Sequence, residues 1–480
     1  MGRNDSRPNI LIYCTDQQRA DLMGCMGHAG IRTPNLDALA ARGVLLRNLF
    51  IQGPVCMPSR ASIMTGRYPS SHGVTDNGYE LPRSERTIAH ALREAGYFTA
   101  VVGRTHVRCS IPHPVLPERD YYGFERCHHS QCYWTGLDPH GEYLQWIRRE
   151  HPDRFEEAAT PRPVDRDDAI CASWTTLEDD KTMTAWVTAR SLELLREHRQ
   201  GGDGRPFLLW AGTWDPHSRF LVPAPWDRMY PPDLVPLPVQ YEGPPAGMPP
   251  HFARCARKPT GRGGLAPEQV IRNTLSIYWG MISHVDDQFG RLMRGLDALG
   301  LAEDTVVLFL SDHGEMAGDH GLWAKGPYFF DAALRVPGIV AAPGRLPAGR
   351  RCDALVETVD LLPTLLEMAG AQPPPEVQGR SCLDLLAGRT ERHRDDVFTE
   401  YHDHDLSGER MFGLRTEDWR ITCYQDRPYG ELYDLRADPQ QTLNLWDHAG
   451  HEEVRRAMQL RLLNRLMSHC ARPDRRVARW

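Results

Sequence analysis

Short apolar runs that end in polar, reactive side chains recur along the chain. Residues 9–14 end in Thr15-Asp16-Gln17-Gln18, and residues 97–102 end in Gly103-Arg104-Thr105-His106. Residues 206–211 lead to Trp214-Asp215-Pro216-His217, and residues 305–310 end in Ser311-Asp312-His313-Gly314-Glu315. Continuous apolar runs of strand length are the pattern of parallel strands buried on both faces. An open α/β sheet binds its ligands beyond the carboxyl ends of such strands. Helical signals lie between the runs. Thr33-Pro34 opens a stretch closed by Gly43, Thr87 opens one closed by Gly96, and amphipathic segments cover residues 181–197 and 267–299. The alternation predicts an α/β fold, with a large, mostly parallel sheet sandwiched by helices. From about residue 394 the pattern changes to short alternating strands at 397–401, 411–415 and 419–424, then a final helix over 451–469. That predicts a smaller C-terminal antiparallel sheet plus helix. We divide the chain into an α/β domain over 1–393 and a C-terminal subdomain over 394–480.

Composition changes this picture little. Hydrophobic residues at 41% and charged residues at 25% are ordinary for a globular protein, so a large core is expected. The net charge of −7 comes without any long basic run, so nucleic-acid binding has no support. No run reaches the roughly 18 apolar residues of a membrane helix. The first eight residues, MGRNDSRP, lack an apolar stretch of signal-peptide length, and the expectation is a cytoplasmic protein. The twelve cysteines follow no regular spacing and are expected to be mostly free thiols. Cys127 and Cys132, with His128 and His129, offer zinc-ligand chemistry, but the spacing is not that of a recognised finger.

Candidate chemistry concentrates in Gly53-Pro54-Val55-Cys56-Met57-Pro58-Ser59-Arg60-Ala61-Ser62-Ile63-Met64-Thr65-Gly66-Arg67. A cysteine stands where a loop turns into a helix, with Pro58 in the first turn and Gly66 closing the run. Free N–H groups and the positive end of the helix dipole would face whatever sits at Cys56. The stretch reads as an anion site containing a nucleophile.

Cys56-Met57-Pro58-Ser59-Arg60, continuing through Thr65-Gly66-Arg67, resembles the signature of type I sulfatases of the alkaline phosphatase superfamily. Ser311-Asp312-His313-Gly314 resembles the family's metal-binding element, and the C-terminal Glu431-Leu432-Tyr433-Asp434-Leu435 resembles its C-terminal marker. The resemblance implies an alkaline-phosphatase-like sheet. It also implies that a formylglycine-generating enzyme oxidises Cys56 to an aldehyde that is present as a hydrated diol. It makes Asp16, Asp312, His313 and modified Cys56 the ligands of a divalent metal. Calcium comes first because carboxylate oxygens dominate, and manganese is the alternative because His313 is softer than asparagine. Many members carry a second aspartate where Gln17 stands, whose amide oxygen could still coordinate a hard cation. Arg60 would hold the diol, while Arg104, Lys325 and His217 grip the sulfate. Arg104 replaces a common lysine, keeping the charge but presenting a rigid fork. His217 or Lys325 is the acid for the leaving oxygen, and His106 is the base that frees the sulfate. Asn77 aligns with a substrate-contacting asparagine, although Asn77-Gly78 also reads as a turn.

The substrate implied is a small-molecule sulfate ester, whose alcohol could be aryl, choline-like or sugar. Two other readings compete. A phosphonate monoester or phosphodiester hydrolase shares the fold, nucleophile and metal pair, but tends to have uncharged residues where Arg104 and His106 stand. An inactive binding protein of the same fold should have lost some of the site residues. Asp286 and Asp287 look like metal ligands, yet their helical setting makes them structural. Tyr133, Trp134 and His113 are possible pocket liners in an insertion over roughly 108–180.

Overall fold

Nine strands form the main sheet among the described residues of the computed structural model, which are 7–108, 121–132, 138, 140–165, 168–202, 204–244, 247–257 and 266–469. They are β1 (Asn9–Thr15), β2 (Val44–Phe50), β3 (Phe98–Gly103), β4 (Arg126–His129), β5 (Phe207–Gly212), β6 (Thr305–Ser311), β7 (Arg335–Val336), β8 (Gly338–Ala341) and β9 (Arg350–Glu357). Their order is β9-β2-β8-β6-β1-β5-β3-β4, with β7 paired to β2. β1 runs parallel to β5 and β6, β3 parallel to β4 and β5, and β2 parallel to β9. β8 is antiparallel to both β6 and β2, which leaves β2 pointing the same way as β6. The carboxyl ends of β1, β2, β3, β5 and β6 therefore share one edge.

Every residue of β5 and β6, and all but the first of β1, is buried, as continuous apolar runs require. Successive side chains point to opposite faces. Ile10, Ile12, Leu208, Trp210 and Leu308 pack under helices α2 (Cys56–Thr65), α3 (Ile88–Glu94) and α7 (Leu361–Met368). Leu11, Tyr13, Leu209, Ala211, Val307 and Phe309 pack under α1 (Pro34–Arg42), α4 (Glu142–Glu150), α5 (Met183–Gln200) and α6 (Glu268–Ala298). Fully burying such a side chain contributes roughly 1.5–3 kcal/mol, so both faces add heavily to stability. Asp286 on α6 accepts from the N–H groups of Asn35 at 3.1 Å and Leu36 at 2.8 Å, capping α1, and Asp287 pairs with Arg291 at 2.8 Å. Both carboxylates are structural.

A separate antiparallel sheet follows, with β10 (Val397–His402), β11 (Arg410–Arg415), β12 (Trp419–Tyr424) and β13 (Gly430–Asp434) in chain order. Helix α8 (Glu452–His469) packs Met458 and Leu462 against Phe398, Leu414, Ile421 and Leu432 of that sheet. Glu357, at the end of β9, accepts from the Phe398 N–H at 2.7 Å and pairs with Arg394 and Arg465, tying the two sheets together. No described helix is long and apolar enough to cross a membrane.

Candidate active site at the carboxyl edge of the sheet

The strand ends bring the sequence-selected residues together. β1 delivers Asp16 and Gln17, β3 delivers Arg104 and His106, β5 leads to His217, and β6 delivers Asp312 and His313. β2 leads into α2, whose first residue is Cys56. Gly103 and Gly212 are paired in register, and a Cβ on either would meet backbone oxygen at about 2 Å, 2.1 Å for Gly103 and 2.0 Å for Gly212. Only glycine permits that approach, which lets the Arg104 N–H reach the Gly212 carbonyl at 2.8 Å. Gln17 and His106 hold left-handed backbones (φ 68° and 50°) at a cost on the order of 1 kcal/mol each, a form of strain found at functional sites.

Two arginines stand behind the carboxylates. Fully buried Arg60 donates from Nε to Asp312 Oδ2 at 2.6 Å and from NH2 to Asp16 Oδ2 at 3.1 Å. Arg104 donates from Nε to Asp16 Oδ2 at 2.6 Å, from NH1 to the Gln131 carbonyl at 2.5 Å, and from NH2 to His106 Nδ1 at 2.6 Å. Its guanidinium also lies over the Trp214 ring, 4.6 Å from the centroid. Burial opposes ionisation of Asp16, but the Arg104 and Arg60 guanidiniums hold its carboxyl well below the usual carboxylate range.

With Oδ2 occupied, Asp16 Oδ1 faces the centre of the site. It lies 3.5 Å from His313 Nε2, 3.6 Å from Cys56 Sγ and 3.9 Å from His217 Nε2. Cys56 Sγ is 3.1 Å from His313 Nε2. His313 Nδ1 sits 2.8 Å from the Gly314 carbonyl, so it donates there and a neutral ring turns its Nε2 lone pair to the centre. One donor atom from each of Asp16, Cys56, Asp312 and His313 lies within 4.8 Å of the others, and all four residues are buried. Ligands held 2.3–2.6 Å from a hard cation are separated by about 3–5 Å, so this donor set fits a divalent metal. The electrostatics agree. Burial disfavours a charged His313, yet Asp312 and Cys56 push its ring up to about 9, so the site favours positive charge at Nε2, either the ring's own proton or a metal that replaces it.

Around this centre, Lys325 Nζ donates to Gln17 Oε1 at 2.5 Å and contacts His217 Nε2. His217 Nδ1 lies on the Ser218 carbonyl, which can only accept, so the neutral ring presents its Nε2 lone pair to Lys325. Burial and the Lys325 charge hold His217 well below its ordinary range, and burial with Arg104 does the same to His106. Since Arg104 can only donate to His106 Nδ1, the neutral His106 ring carries its proton on Nε2. Asn77 Oδ1 accepts from the Met57 N–H at 3.0 Å, at the start of α2.

Several partners in this site had no assigned role in the sequence reading. Glu315, fully buried, accepts from Ala317 and Ala324 N–H groups and from Gln17 Nε2, so it sets the orientation of the Gln17 amide. Gln131 holds both Arg104 and the His106 N–H, and Thr105 bonds His129 Nε2 at 2.8 Å. Glu315 was visible inside the Ser311–Glu315 motif, whereas Gln131 lies in an insertion without periodicity. His128 pairs with Glu142 at 2.9 Å, and the metal-competent cluster found among the described residues is the one at Cys56, so the zinc reading of Cys127 and Cys132 is not met. Buried Cys14, Cys56, Cys352 and Cys382 are free thiols. Tyr133, Trp134 and His113 lie outside the described residues.

Comparison with known proteins decides the family. The sulfatase family model matches residues 8–371, three quarters of the chain. The chain belongs to the sulfatase family. As a sulfatase it is a sulfuric ester hydrolase on an alkaline-phosphatase-like fold. The model of the N-sulphoglucosamine sulphohydrolase C-terminal region matches residues 318–468. An arylsulfatase of Clostridium perfringens is 31% identical, over 93% of this chain and 92% of its own. A multifunctional alkaline phosphatase superfamily protein, PehA of Trinickia caryophylli, is 29% identical over 97% of this chain and 96% of its own. The crystal structure of a phosphonate monoester hydrolase of Agrobacterium radiobacter superposes with TM-score 0.81 at 28% identity, covering 96% of each chain.

Proposed function

We propose that this sulfatase cleaves a sulfate monoester to alcohol and sulfate, with Cys56, converted to formylglycine, as the nucleophilic residue. One observation carries the reading: Cys56 Sγ stands in a buried donor set with Asp16, Asp312 and His313, with two arginines behind the carboxylates. Those four residues would hold the metal, calcium first and manganese second, and once bound it would lower the pKa of a hydroxyl at residue 56 and screen sulfate charge. The hydrated aldehyde would supply one hydroxyl to displace the alcohol from sulfur and a second to expel sulfate afterwards. A formylglycine-generating enzyme is the partner this requires.

The chain's own residues divide the remaining work. Arg104 and Arg60 keep Asp16 ionised, and Arg60, paired with both carboxylates, fixes Asp16 and Asp312 behind the nucleophile. Arg104 and Lys325 grip the peripheral sulfate oxygens. When Arg104 NH2 turns to the sulfate it leaves His106 Nδ1, which then becomes a vacant proton acceptor, as the base of the second step must be. Of the two acids left open by the sequence, Lys325 is the better assignment. It carries the proton, while His217 presents a lone pair and is kept neutral by burial and by Lys325.

Phosphonate monoester hydrolysis stays as a second reading because a phosphonate monoester hydrolase superposes over almost the whole chain. The Arg104 charge, hydrogen-bonded to His106 at 2.6 Å, favours sulfate. Turnover of an aryl sulfate against a phenylphosphonate ester tests the choice. A kcat/KM larger for the phosphonate ester contradicts the first reading.

A further inference from the structure

Beside the end of β4, the buried side chains of Tyr121, Thr105, His129 and Gln131 form one hydrogen-bonded chain that ends on the Arg104–His106 pair. Gln131 is its hub. The His106 N–H can only donate, and it lies 3.1 Å from Gln131 Oε1, which fixes the amide with its NH₂ turned the other way. That NH₂ lies 3.1 Å from His129 Nε2. An amide NH₂ can only donate, so Nε2 accepts and the His129 ring carries its proton on Nδ1. The Thr105 hydroxyl, 2.8 Å from the same Nε2, then donates to it as well and accepts from the Tyr121 hydroxyl at 2.8 Å. Burial, with the Arg104 and Arg108 charges nearby, pushes the His129 ring from 6.5 down to about 3, so its lone pair stays free of a proton near neutral pH.

The backbone of Gln131 is held on both sides. Its N–H donates to Asp138 Oδ2 at 2.5 Å, and its carbonyl accepts from Arg104 NH1 at 2.5 Å. With Nε on Asp16 and NH1 on Gln131, Arg104 keeps NH2 as the arm that can pass from His106 Nδ1 to a sulfate oxygen. Gln131 Oε1 meanwhile holds the main chain of His106, which is left-handed (φ 50°). Polar side chains are costly to bury unless they are hydrogen-bonded, and apolar ones could fill the same space. Here the bonds converge on the pair assigned to grip sulfate and accept the proton.

We propose that His129 and Gln131 are positioning residues: the His129 lone pair sets the Gln131 amide, and Gln131 in turn aims Arg104 and His106. The proposal rests on the roles given to Arg104 and His106 above, and it adds to them two residues of the region where the sequence shows no periodicity. A misplacement of about 1 Å costs up to ~100-fold in rate, so loss of the lone pair should be felt in kcat.

The test uses the metal-loaded enzyme with 4-nitrophenyl sulfate and three single variants. His129→Phe keeps a ring without an acceptor, His129→Gln offers an amide oxygen in place of Nε2, and Gln131→Met removes the hub. His129→Phe and Gln131→Met should each lower kcat about tenfold or more, and His129→Gln should recover most of the loss. The double variant His129→Phe/Gln131→Met should be no slower than Gln131→Met alone, because His129 acts through Gln131. Burial and the Arg104 charge hold His106 low; Asp16 opposes them, and Arg60 and Lys325 assist. An Arg104 that drifts from His106 lets that ring take a proton more readily. A base works only unprotonated, so the acid limb of kcat should move to higher pH in His129→Phe and return in His129→Gln. NMR of the histidine ring nitrogens should show His129, identified by its absence from His129→Gln, protonated on Nδ1. Unchanged kcat, an unmoved acid limb, losses that add in the double variant, or a neutral His129 protonated on Nε2 overturns the proposal. Thermal unfolding shows which variants fold, and should His129→Phe not fold, Gln131→Met and the tautomer decide. The tautomer is read without substrate, so it stands apart from the sulfate reading. Should the enzyme turn over phosphonate esters only, that reading fails by itself, and the same variants on a phenylphosphonate ester decide the positioning role.

Discussion

Cys56 Sγ and His313 Nε2 lie 3.1 Å apart, although 257 positions separate them in the chain. The contact exists because β2 and β6 end at the same edge of the sheet, and because the Gly314 carbonyl holds the other nitrogen of the ring. Nucleophile and metal ligands are therefore one unit, so a change to either should be felt by both.

Asp312→Asn tests that unit. Asp312 contributes one oxygen to the donor set and pairs through the other with Arg60 at 2.6 Å. Metal retained after dialysis should fall by more than the roughly 10–100-fold that outer-shell partners contribute. Unchanged metal content by elemental analysis contradicts the ligand assignment.

Lys325→Ala separates the two possible acids. Loss of a general acid costs about 10²–10⁴ in rate, and the cost shrinks as the leaving alcohol becomes more acidic. Lys325→Ala should therefore slow an alkyl sulfate far more than 4-nitrophenyl sulfate, while His217→Asn should slow both by similar factors. The reverse pattern moves the acid to His217.

Glu315→Gln probes the orientation of Gln17. The buried carboxylate accepts from two backbone N–H groups and from Gln17 Nε2, so an amide at 315 would set donor against donor. Gln17 would flip and turn its NH₂ towards Lys325. We expect a stability loss of about 1–3 kcal/mol, seen in denaturant unfolding, with kcat falling more than KM rises. Wild-type stability and kcat together would contradict this role.

The stability of α2 should depend on pH through His72. The Val74 N–H donates to Nδ1 at 3.2 Å, so the neutral ring keeps its proton on Nε2 and donates to Ser62 Oγ of α2 at 3.0 Å. Burial, with the Arg67 charge nearby, pushes the ring from 6.5 down to about 3. The unfolded chain then binds a proton that the folded chain refuses. Stability from this group is complete above about pH 6.5 and is lost as pH falls from there towards 3. His72 ring resonances should not titrate between about pH 8 and pH 5, and His72→Gln should flatten the acid limb of unfolding. Titration near 6.5 in the folded protein contradicts the buried neutral ring.

Much of this site was legible because its residues directly follow strand ends. Asp16, Arg104, His106, Asp312 and His313 each come within four residues of an apolar run, and Cys56 sits at the start of a helix marked by Pro58 in its first turn and Gly66 at its end. The sheet order was not legible, because β8 enters antiparallel between β6 and β2, a pairing that no local pattern encodes. Gln131 was missed for a different reason. It bonds Arg104 and His106 from an irregular insertion, where hydrophobic periodicity carries no signal. The Asp76–Tyr401 bond joins segments 325 positions apart and became visible only once the two sheets were docked.

The most direct test is the mass of the peptide spanning residues 48–60, released from active enzyme by cleavage after Arg47 and Arg60. The account predicts a species in which the Cys56 thiol is replaced by an aldehyde, captured by a hydrazide, with sulfate-ester turnover in proportion to its fraction and none in Cys56→Ala. Full activity in a preparation whose peptide carries only unmodified cysteine would contradict it.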